Sequence, residues 1–227
     1  MPLSRPHRLA RLLPRFLPGF RAPAGVLALA LALVLALPAV SASAGRIDFE
    51  SDEPGFRPNG FRSSDSPLVR FTDSAGEGLE IRDLEEQGMG LSLQTLDDFD
   101  DSELVLDFGD PVITLSLAFG NDDPLFSNEG DRAVLTAFAD GAEVGRASVV
   151  MNRKDVMDQT ITFSGPAFDR ATFKFDVDPG RGLIEVVDDI QFTAVIPVPP
   201  AAWGGLSVMA GLSLSSAARR ALRRRTR

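Results

Sequence analysis

The stretch ITLSLAF, residues 113–119, decides the fold class of this chain. Apolar side chains occupy every second position, at Ile113, Leu115, Leu117 and Phe119. Successive side chains of a β-strand point to opposite faces, so this alternation predicts a strand with one buried face. The segment ATFKF, residues 171–175, has the same period. We therefore expect β-strands rather than helices in the middle of the chain.

Short runs of the same kind recur between Gly, Pro, Asp and Asn residues. The predicted strands are residues 46–50, 68–72, 79–82, 90–95, 103–108, 112–119, 132–139, 143–150, 159–164, 170–176 and 183–192. Residues 109–111 (Gly-Asp-Pro) and 139–141 (Ala-Asp-Gly) have the composition of hairpin turns. So many short strands predict an all-β fold, an antiparallel and jelly-roll-like β-sandwich over residues 45–195. The 16 Phe and the absence of Tyr predict a core filled by Phe.

The first 44 residues have the parts of a secretory signal peptide. Five Arg and no acidic residue precede an apolar run at residues 26–37, which Pro38 ends. Ala42 and Ala44 then give the small-x-small spacing that signal peptidase recognises. The sequence therefore predicts an N-terminal signal helix, export, and a mature chain that begins at Gly45. An uncleaved anchor is the weaker alternative, because a membrane span needs about 20 apolar residues.

Charge is distributed very unevenly along the chain. All 32 acidic residues lie between residues 45 and 195, together with only 12 of the 23 basic residues. This part has a net charge of −20, so we expect it to repel nucleic acid and anionic lipid and to attract cations. The chain has no Cys, so no disulfide stabilises the exported protein, and a bound metal ion becomes an alternative means of stabilisation.

The composition excludes most catalytic sites. The chain has no Cys and no Tyr, and its one His, His7, lies in the signal segment. Nucleophiles activated by His, and zinc or copper sites built on imidazole or thiolate, are therefore excluded from the mature domain. A pair of carboxylates can hydrolyse a glycosidic bond, but acidic residues are too abundant for any pair to stand out. We expect no catalytic residues, with a carboxylate-based glycosidase or lyase as the alternative.

Five acidic residues at the two ends of the domain are candidate metal ligands. Three flank the first predicted strand and two lie in the last: Asp48, Glu50, Asp52, Asp188 and Asp189. The first and last strands of a jelly roll are often neighbours, so these carboxylates would repel one another unless a cation joined them. Ca²⁺ binds roughly six to eight oxygen ligands, and the group predicts a calcium site that holds the two ends together. The alternative is that Asp188 or Asp189 caps a local turn.

The last 32 residues have a different organisation from the domain. Ile196-Pro197-Val198-Pro199 and Pro200 come first, residues 201–218 carry no charge, and six Arg follow. Pro at this density ends strands and blocks helices. The uncharged stretch can enter a membrane, and the Arg side chains resist crossing it. We therefore predict a C-terminal hydrophobic helix with a basic end.

This order resembles the PEP-CTERM sorting signal of exosortase substrates. Ile196, Pro197, Val198 and Pro199 stand at the proline motif, residues 201–218 at the transmembrane span and residues 219–227 at the Arg-rich end. The resemblance implies an exported bacterial protein that is held in the inner membrane through residues 201–218. An exosortase would then cut it near the proline motif, with release or attachment in an exopolysaccharide or biofilm matrix. The alternative is an ordinary tail anchor.

Two functions fit these features. The first is a non-enzymatic cell-surface or matrix protein whose sandwich domain is stabilised by Ca²⁺. The second is a carbohydrate-binding module of the same fold that binds exopolysaccharide. The segments ITLSLAFGNDD, LTAFADGAEVG, FDRATFKF and VVDDIQF are similar to sandwich domains common in such proteins. The absence of Trp and Tyr from residues 45–195 counts against the sugar-stacking platforms that these aromatics form.

Overall fold

The computed structural model describes residues 40–96, 102–120, 123–178 and 183–197. Its strands are β1 Val40–Ile47, β2 Gly55–Arg57, β3 Val69–Asp73, β4 Leu79–Asp83, β5 Leu91–Thr95, β6 Leu104–Gly120, β7 Arg132–Ala139, β8 Ala142–Val150, β9 Gln159–Asp176 and β10 Val186–Pro197. A 3₁₀ helix, Glu85–Gln87, separates β4 from β5. All the strand pairs are antiparallel, which confirms the prediction of an all-β, antiparallel fold.

Both predicted terminal helices lie outside the described residues. Within the described ranges, no helix has the length and apolar composition that crossing a membrane requires.

The strands form one continuous sheet in the order β2-β4-β5-β10-β6-β9-β7-β8. β1 pairs with β10 and β3 pairs with β6, both off this path. The long strands β6 and β9 organise the arrangement. β3 pairs with the first part of β6, between Leu104 and Phe108, and β10 pairs with the second part, between Val112 and Gly120. The two parts of β6 therefore belong to different regions of the sheet.

Contacts between Phe rings show that the sheet folds over on itself. Phe119 pairs with Gln159 at one end of the β6–β9 ladder, and Phe173 pairs with Leu104 at the other end. Nevertheless the rings of Phe119 and Phe173 lie 5.7 Å apart, centroid to centroid. The two ends of the ladder thus face each other across one core, as in a β-sandwich. Both rings are fully buried, which agrees with the prediction of a Phe-filled core.

One predicted hairpin turn is wrong. Residues 109–111 continue β6 as extended chain, although their composition is that of a turn. The pairing of β6 with β9 is interrupted between Asp107 and Val112, so Pro111 removes no hydrogen bond from that ladder. The N–H of Gly109 donates instead to the carbonyl of Leu68, at 2.8 Å. The Gly-Asp-Pro segment is therefore a bend within a long strand, at the point where the chain passes between layers.

The second predicted turn is confirmed. Asp140 and Gly141 join β7 to β8, with φ angles of 51° and 78°. Two consecutive residues with positive φ make the type I′ hairpin that suits the twist of the flanking strands.

The predicted strand boundaries differ from the observed ones most at the ends of the domain. The first strand begins at Val40 rather than residue 46, the last ends at Pro197 rather than residue 192, and β2 was not predicted.

Replacing Gly120 with Ala is expected to lower the free energy of unfolding by about 1–3 kcal/mol. A Cβ on Gly120 would lie 2.8 Å from both the N and Cα atoms of Met157. That backbone is held by a hydrogen bond from the Met157 N–H to the carbonyl of Gln87, at 2.8 Å, so it cannot move aside freely. Urea denaturation of the purified chain measures the change. Gly109→Ala is the control, because its Cβ would meet no atom closer than 3.5 Å. Equal stability of the two variants would contradict the close approach.

Candidate functional site

Three charged side chains line up across β3, β6 and β9. Arg70 is the cross-strand partner of Asp107, and Asp107 is the partner of Arg170. Cross-strand partners point to the same face of a sheet. Phe71 and Leu106, their neighbours in sequence, are fully buried, so this face points away from the core. We call Arg70, Asp107 and Arg170 the Arg–Asp–Arg ladder.

Asp107 bridges the two guanidinium groups of the ladder. Nη2 of Arg70 donates to Oδ2 at 2.7 Å, and Nε of Arg170 donates to Oδ1 at 2.6 Å. Burial raises the pKa of Asp107, but hydrogen bonds from Arg170 and Arg70 outweigh it and hold the pKa below its usual range. The hydrogen bond from Arg170 to Asp107 raises the pKa of that guanidinium. Asp107 and Arg170 are therefore both charged at neutral pH.

The ladder retains capacity to bind a ligand. A guanidinium has five N–H donors, and each Arg uses one of them on Asp107. The Arg side chains are 48% and 49% exposed, and Asp107 is 19% exposed. The remaining donors thus face solvent, beside a carboxylate that can accept further hydrogen bonds.

Two open cavities adjoin the ladder and share all three of its residues. One, of about 320 Å³, is also lined by Phe108, Gly141 and Asp169. The other, of about 370 Å³, is also lined by Asn59, Gly60, Thr72 and Val105. Donors and acceptors alternate over this surface at the spacing of the strands. Such a surface suits a ligand with many hydroxyl groups, because each hydroxyl both accepts and donates a hydrogen bond.

The acidic residues predicted as calcium ligands line neither of these cavities. β1 pairs with β10 over its whole length, so the first and last strands are neighbours, as the prediction required. Asp188 is buried at 2% exposure, opposite Ala118. The register of β10 on β6 slips between Asp188 and Gln191, and Asp189 has a φ of 41° in this bulge. The carboxylate of Asp189 accepts a hydrogen bond from Nε of Arg46, at 2.6 Å.

Three of the predicted residues act electrostatically on a fourth, Asp188. Burial raises the pKa of Asp188 to about 6, and the charges of Asp189, Glu50 and Asp48 add to the rise. The N–H of Asp189 donates a hydrogen bond to Oδ1 of Asp188 at 2.6 Å, and this bond opposes the rise in pKa. That bond is also the local backbone contact expected from a turn-capping Asp. We call Asp188 and the three carboxylates that act on it, Asp189, Glu50 and Asp48, the acidic cluster.

Two of the predicted calcium ligands, Glu50 and Asp52, accept hydrogen bonds from different parts of the chain. Oε1 of Glu50 accepts a hydrogen bond from the N–H of Leu91, at 2.8 Å. Asp52 accepts hydrogen bonds from the hydroxyl of Ser63 at 2.5 Å and the N–H of Ser64 at 2.9 Å. In the part of the chain that the structure describes, no three Asp, Glu, His or Cys residues group closely enough to hold a metal ion. The calcium site stays a prediction.

The predicted processing residues lie on two neighbouring strands. Ala42 and Ala44 belong to β1 and face Val195 and Thr193 of β10. Ile196 and Pro197 are the last residues of β10. Val198 and Pro199, the rest of the sorting motif, lie outside the described residues.

Sequence reasoning missed the Arg–Asp–Arg ladder. The alternation of the strands VRFTD, LVLDF and DRATF places one charged residue on the outer face of each. That signal identifies an outward side chain but not its neighbours. The ladder depends on the register of β3 on β6 and of β6 on β9, and no local sequence pattern specifies either register.

The chain is similar in part to several solved structures. A DUF4465 family protein from Bacteroides caccae has a TM-score of 0.47 and 12% identity, covering 69% of this chain and 100% of its own. A cleaved adhesin domain of Lys-gingipain has a TM-score of 0.41 and 15% identity, covering 66% and 99%. The family 32 carbohydrate-binding module of C. perfringens NanJ, solved with galactose, has a TM-score of 0.35 and 13% identity, covering 62% and 99%. No family model matches the sequence, and no curated protein matches it. These similarities identify no family for this chain.

Proposed function

We propose that this chain is an exported, non-catalytic protein of the cell envelope or extracellular matrix whose domain binds a polysaccharide. The observation that carries the proposal is the solvent-facing Arg–Asp–Arg ladder between two open cavities. In this proposal the domain is a jelly-roll-like sandwich. Signal peptidase removes the N-terminal segment, residues 201–218 hold the precursor in the inner membrane, and an exosortase cuts near Pro199.

The chemistry of the ladder supports a sugar ligand. Sugar hydroxyls and ring oxygens accept hydrogen bonds from guanidinium groups, and the hydroxyls also donate to carboxylates. Asp107 holds both guanidinium planes in place, so little side-chain freedom is lost when a ligand binds. Both adjoining cavities are open to solvent, and a polysaccharide chain can therefore lie across them without threading an end into a closed pocket.

The same geometry argues against a glycosidase at this place. Asp107 and Asp169 line one cavity and are the acidic residues available there. A glycosidase needs one carboxyl group that keeps its proton near neutral pH so that it can act as a general acid. The two Arg hydrogen bonds lower the pKa of Asp107 and so favour the opposite state. The ladder is thus better suited to binding than to hydrolysis.

Replacing Arg170 with Gln is expected to weaken polysaccharide binding about tenfold or more, because a charge-assisted hydrogen bond contributes roughly 1.5–3 kcal/mol. Arg70→Gln should weaken it similarly. Binding is measured by titration with polysaccharides of two kinds, a neutral glucan and the uronate-bearing polygalacturonate. Lys154→Gln removes the same charge from a residue that lines neither cavity and pairs with Asp158 at 2.9 Å. This control should bind like the parent chain.

Two results would contradict the proposed function. If the parent chain binds neither probe nor any glycan on an array, the polysaccharide proposal fails. If it binds, but Arg70→Gln and Arg170→Gln bind as well as Lys154→Gln, then the binding surface lies elsewhere and the ladder is structural.

A second candidate function is a matrix domain stabilised by Ca²⁺, as the sequence predicted. The acidic cluster of Asp48, Glu50, Asp188 and Asp189 favours it, because three carboxylates act on the buried carboxyl group of Asp188 and raise its pKa. A cation bound there would relieve this repulsion and join the first strand to the last. The two candidates are compatible, since the cluster and the ladder involve different residues.

A further inference from the structure

The two cavities beside the Arg–Asp–Arg ladder differ in charge. The ladder has two guanidinium groups, which are always protonated, and one carboxylate, so it carries an excess of positive charge. In the cavity of about 320 Å³, Asp169 is a second acidic residue and balances this excess. In the cavity of about 370 Å³, the residues outside the ladder are all uncharged: Asn59, Gly60, Thr72 and Val105. We call the first the Asp169 cavity and the second the Thr72 cavity.

The two cavities lie in opposite directions along the strands. Val105, which lines the Thr72 cavity, precedes Asp107 in β6, and Phe108, which lines the Asp169 cavity, follows it. Val105 and Thr72 are cross-strand partners, two residues along from the ladder. Residues two apart on a strand share a face and lie about 7 Å apart. A ligand that lies along the strands therefore passes from a positively charged cavity, across the ladder, to one in which the charges balance.

The guanidinium groups retain donors that suit an anion. Arg170 donates to Asp107 through Nε and Arg70 through Nη2, so Nη1 of each guanidinium is not used on Asp107. Asn59 is held beside them, because its Nδ2 donates to the carbonyl of Asp73 at 3.2 Å and its Oδ1 accepts from the N–H of Asp73 at 2.7 Å. A guanidinium binds a carboxylate through shorter and stronger hydrogen bonds than it makes with a neutral hydroxyl.

We propose that the polysaccharide is acidic and that one of its carboxylate groups binds in the Thr72 cavity, between Arg70 and Arg170. This assignment rests on the proposed function and names the class of its ligand. A uronate residue presents a planar carboxylate that can accept two hydrogen bonds from one guanidinium. On the other side of the ladder, the carboxylate of Asp169 repels a second anionic group and accepts hydrogen bonds from hydroxyls instead. The two cavities thus bind different groups of the same chain.

The net charge of −20 on residues 45–195 does not prevent this contact. At about 0.15 M salt the screening length is about 8 Å, so acidic residues farther away than this act weakly on a bound carboxylate. The groups that line the Thr72 cavity therefore decide the local interaction. Elsewhere the acidic surface repels an anionic chain, and this repulsion favours the ladder as the place where the chain binds.

The ligand class is tested with pairs of polysaccharides that differ only in charge. Polygalacturonate and alginate are each compared with their own methyl ester, which has the same sugar residues but no carboxylate. The parent chain should bind at least one of the acids about tenfold or more tightly than its ester, because the ester loses the charge-assisted hydrogen bonds. Titration at about 0.15 M salt measures the four affinities.

The position of the carboxylate is tested by adding a negative charge to the Thr72 cavity. Thr72→Glu should weaken binding of the acid about tenfold or more and change binding of the ester less. Thr162→Glu is the matched control, since Thr162 is exposed and lines neither cavity. Asp169→Asn is a second variant and adds no bulk. It removes the acid from the other cavity, so the preference for the acid over the ester should stay the same or rise.

The outcomes separate the ligand class from the proposed function. Equal binding of acid and ester, or binding of neutral glucan but neither acid, overturns the acidic ligand and leaves a polysaccharide-binding domain. A preference for the acid that Thr72→Glu and Thr162→Glu reduce equally, or that Asp169→Asn reduces, shows that the carboxylate does not bind in the Thr72 cavity. A parent chain that binds no polysaccharide overturns the proposed function, and the acidic ligand with it.

Discussion

Phe173→Ala is expected to lower the free energy of unfolding by about 3–5 kcal/mol. Phe173 is fully buried, and its ring contacts Phe119 at 5.7 Å and Phe175 at 5.5 Å. Phe119 and Phe173 come from opposite ends of the β6–β9 ladder. Truncation therefore leaves a cavity where the folded-over halves of the sheet meet, and the neighbouring strands cannot close it without changing their register.

Denaturation of the purified chain in urea measures this effect, and Phe56→Ala is the matched control. Phe56 is 59% exposed, so its truncation should change the free energy of unfolding by about 0.5 kcal/mol or less. An equal loss of stability in Phe173→Ala and Phe56→Ala would mean that the two ends of the β6–β9 strand pair do not share one core.

The buried strands were predictable because their signal is local. Alternation in residues 113–119 and 171–175 depends only on the period of a strand. The continuity of β6 was not predictable in this way. Gly109, Asp110 and Pro111 suit a hairpin and a bend equally well, and the choice depends on distant partners such as Leu68, whose carbonyl accepts the N–H of Gly109. The prediction of a hairpin turn at residues 109–111 was wrong because the conformation depends on tertiary contacts that a short stretch of sequence does not contain.

The two candidate sites differ in how far the sequence predicts them, and the reason is again tertiary context. The acidic cluster could be anticipated because Asp48 directly follows the first strand and Asp188 lies on the last, and those strands are neighbours. Asp52 is not among the charges that act on Asp188. Its carboxylate instead accepts hydrogen bonds from Ser63 and Ser64, which lie in a loop, and the position of a loop does not follow from the order of the strands. The Arg–Asp–Arg ladder forms only if β3 pairs with β6 and β6 pairs with β9 in the correct registers. The charge pattern along the sequence does not determine these two registers.

Asp188→Asn is expected to stabilise the domain at pH 7 by about 1–3 kcal/mol. The pKa of Asp188 is raised to about 6, mainly by burial, so at pH 7 the folded protein holds a buried negative charge beside Asp189, Glu50 and Asp48. Asn removes that charge and keeps an oxygen that can accept the hydrogen bond from the N–H of Asp189. Asp176→Asn removes a charge from an exposed position in β9 and serves as the control.

The effect should depend on pH in a defined direction. A carboxyl group whose pKa is higher in the folded state than in the unfolded state binds its proton more tightly when folded. The stability from Asp188 is therefore present below about pH 4, falls as the pH rises towards 6, and is absent above that. Asp107 and Asp158 have lowered pKa values and change in the opposite direction, below about pH 4. The stability of the parent chain relative to Asp188→Asn should hence decline between pH 4 and pH 6. A constant difference over this range would contradict the burial of Asp188.

Calcium separates the two roles that Asp188 can have. If the acidic cluster binds Ca²⁺, the cation stabilises the ionised carboxylate, and millimolar Ca²⁺ should raise the melting temperature of the parent chain at pH 7 relative to chelator. Asp188→Asn should lose this response, while Asp176→Asn should keep it. In chelator the two melting temperatures should change order. Asp188→Asn should then melt above the parent chain, because Asn avoids a repulsion that no bound Ca²⁺ relieves. A parent chain whose melting temperature is the same in Ca²⁺ and in chelator has no calcium site in this cluster. Asp188 would then be a buried, destabilising acid held in place by the bulge of β10 and its bond to the N–H of Asp189.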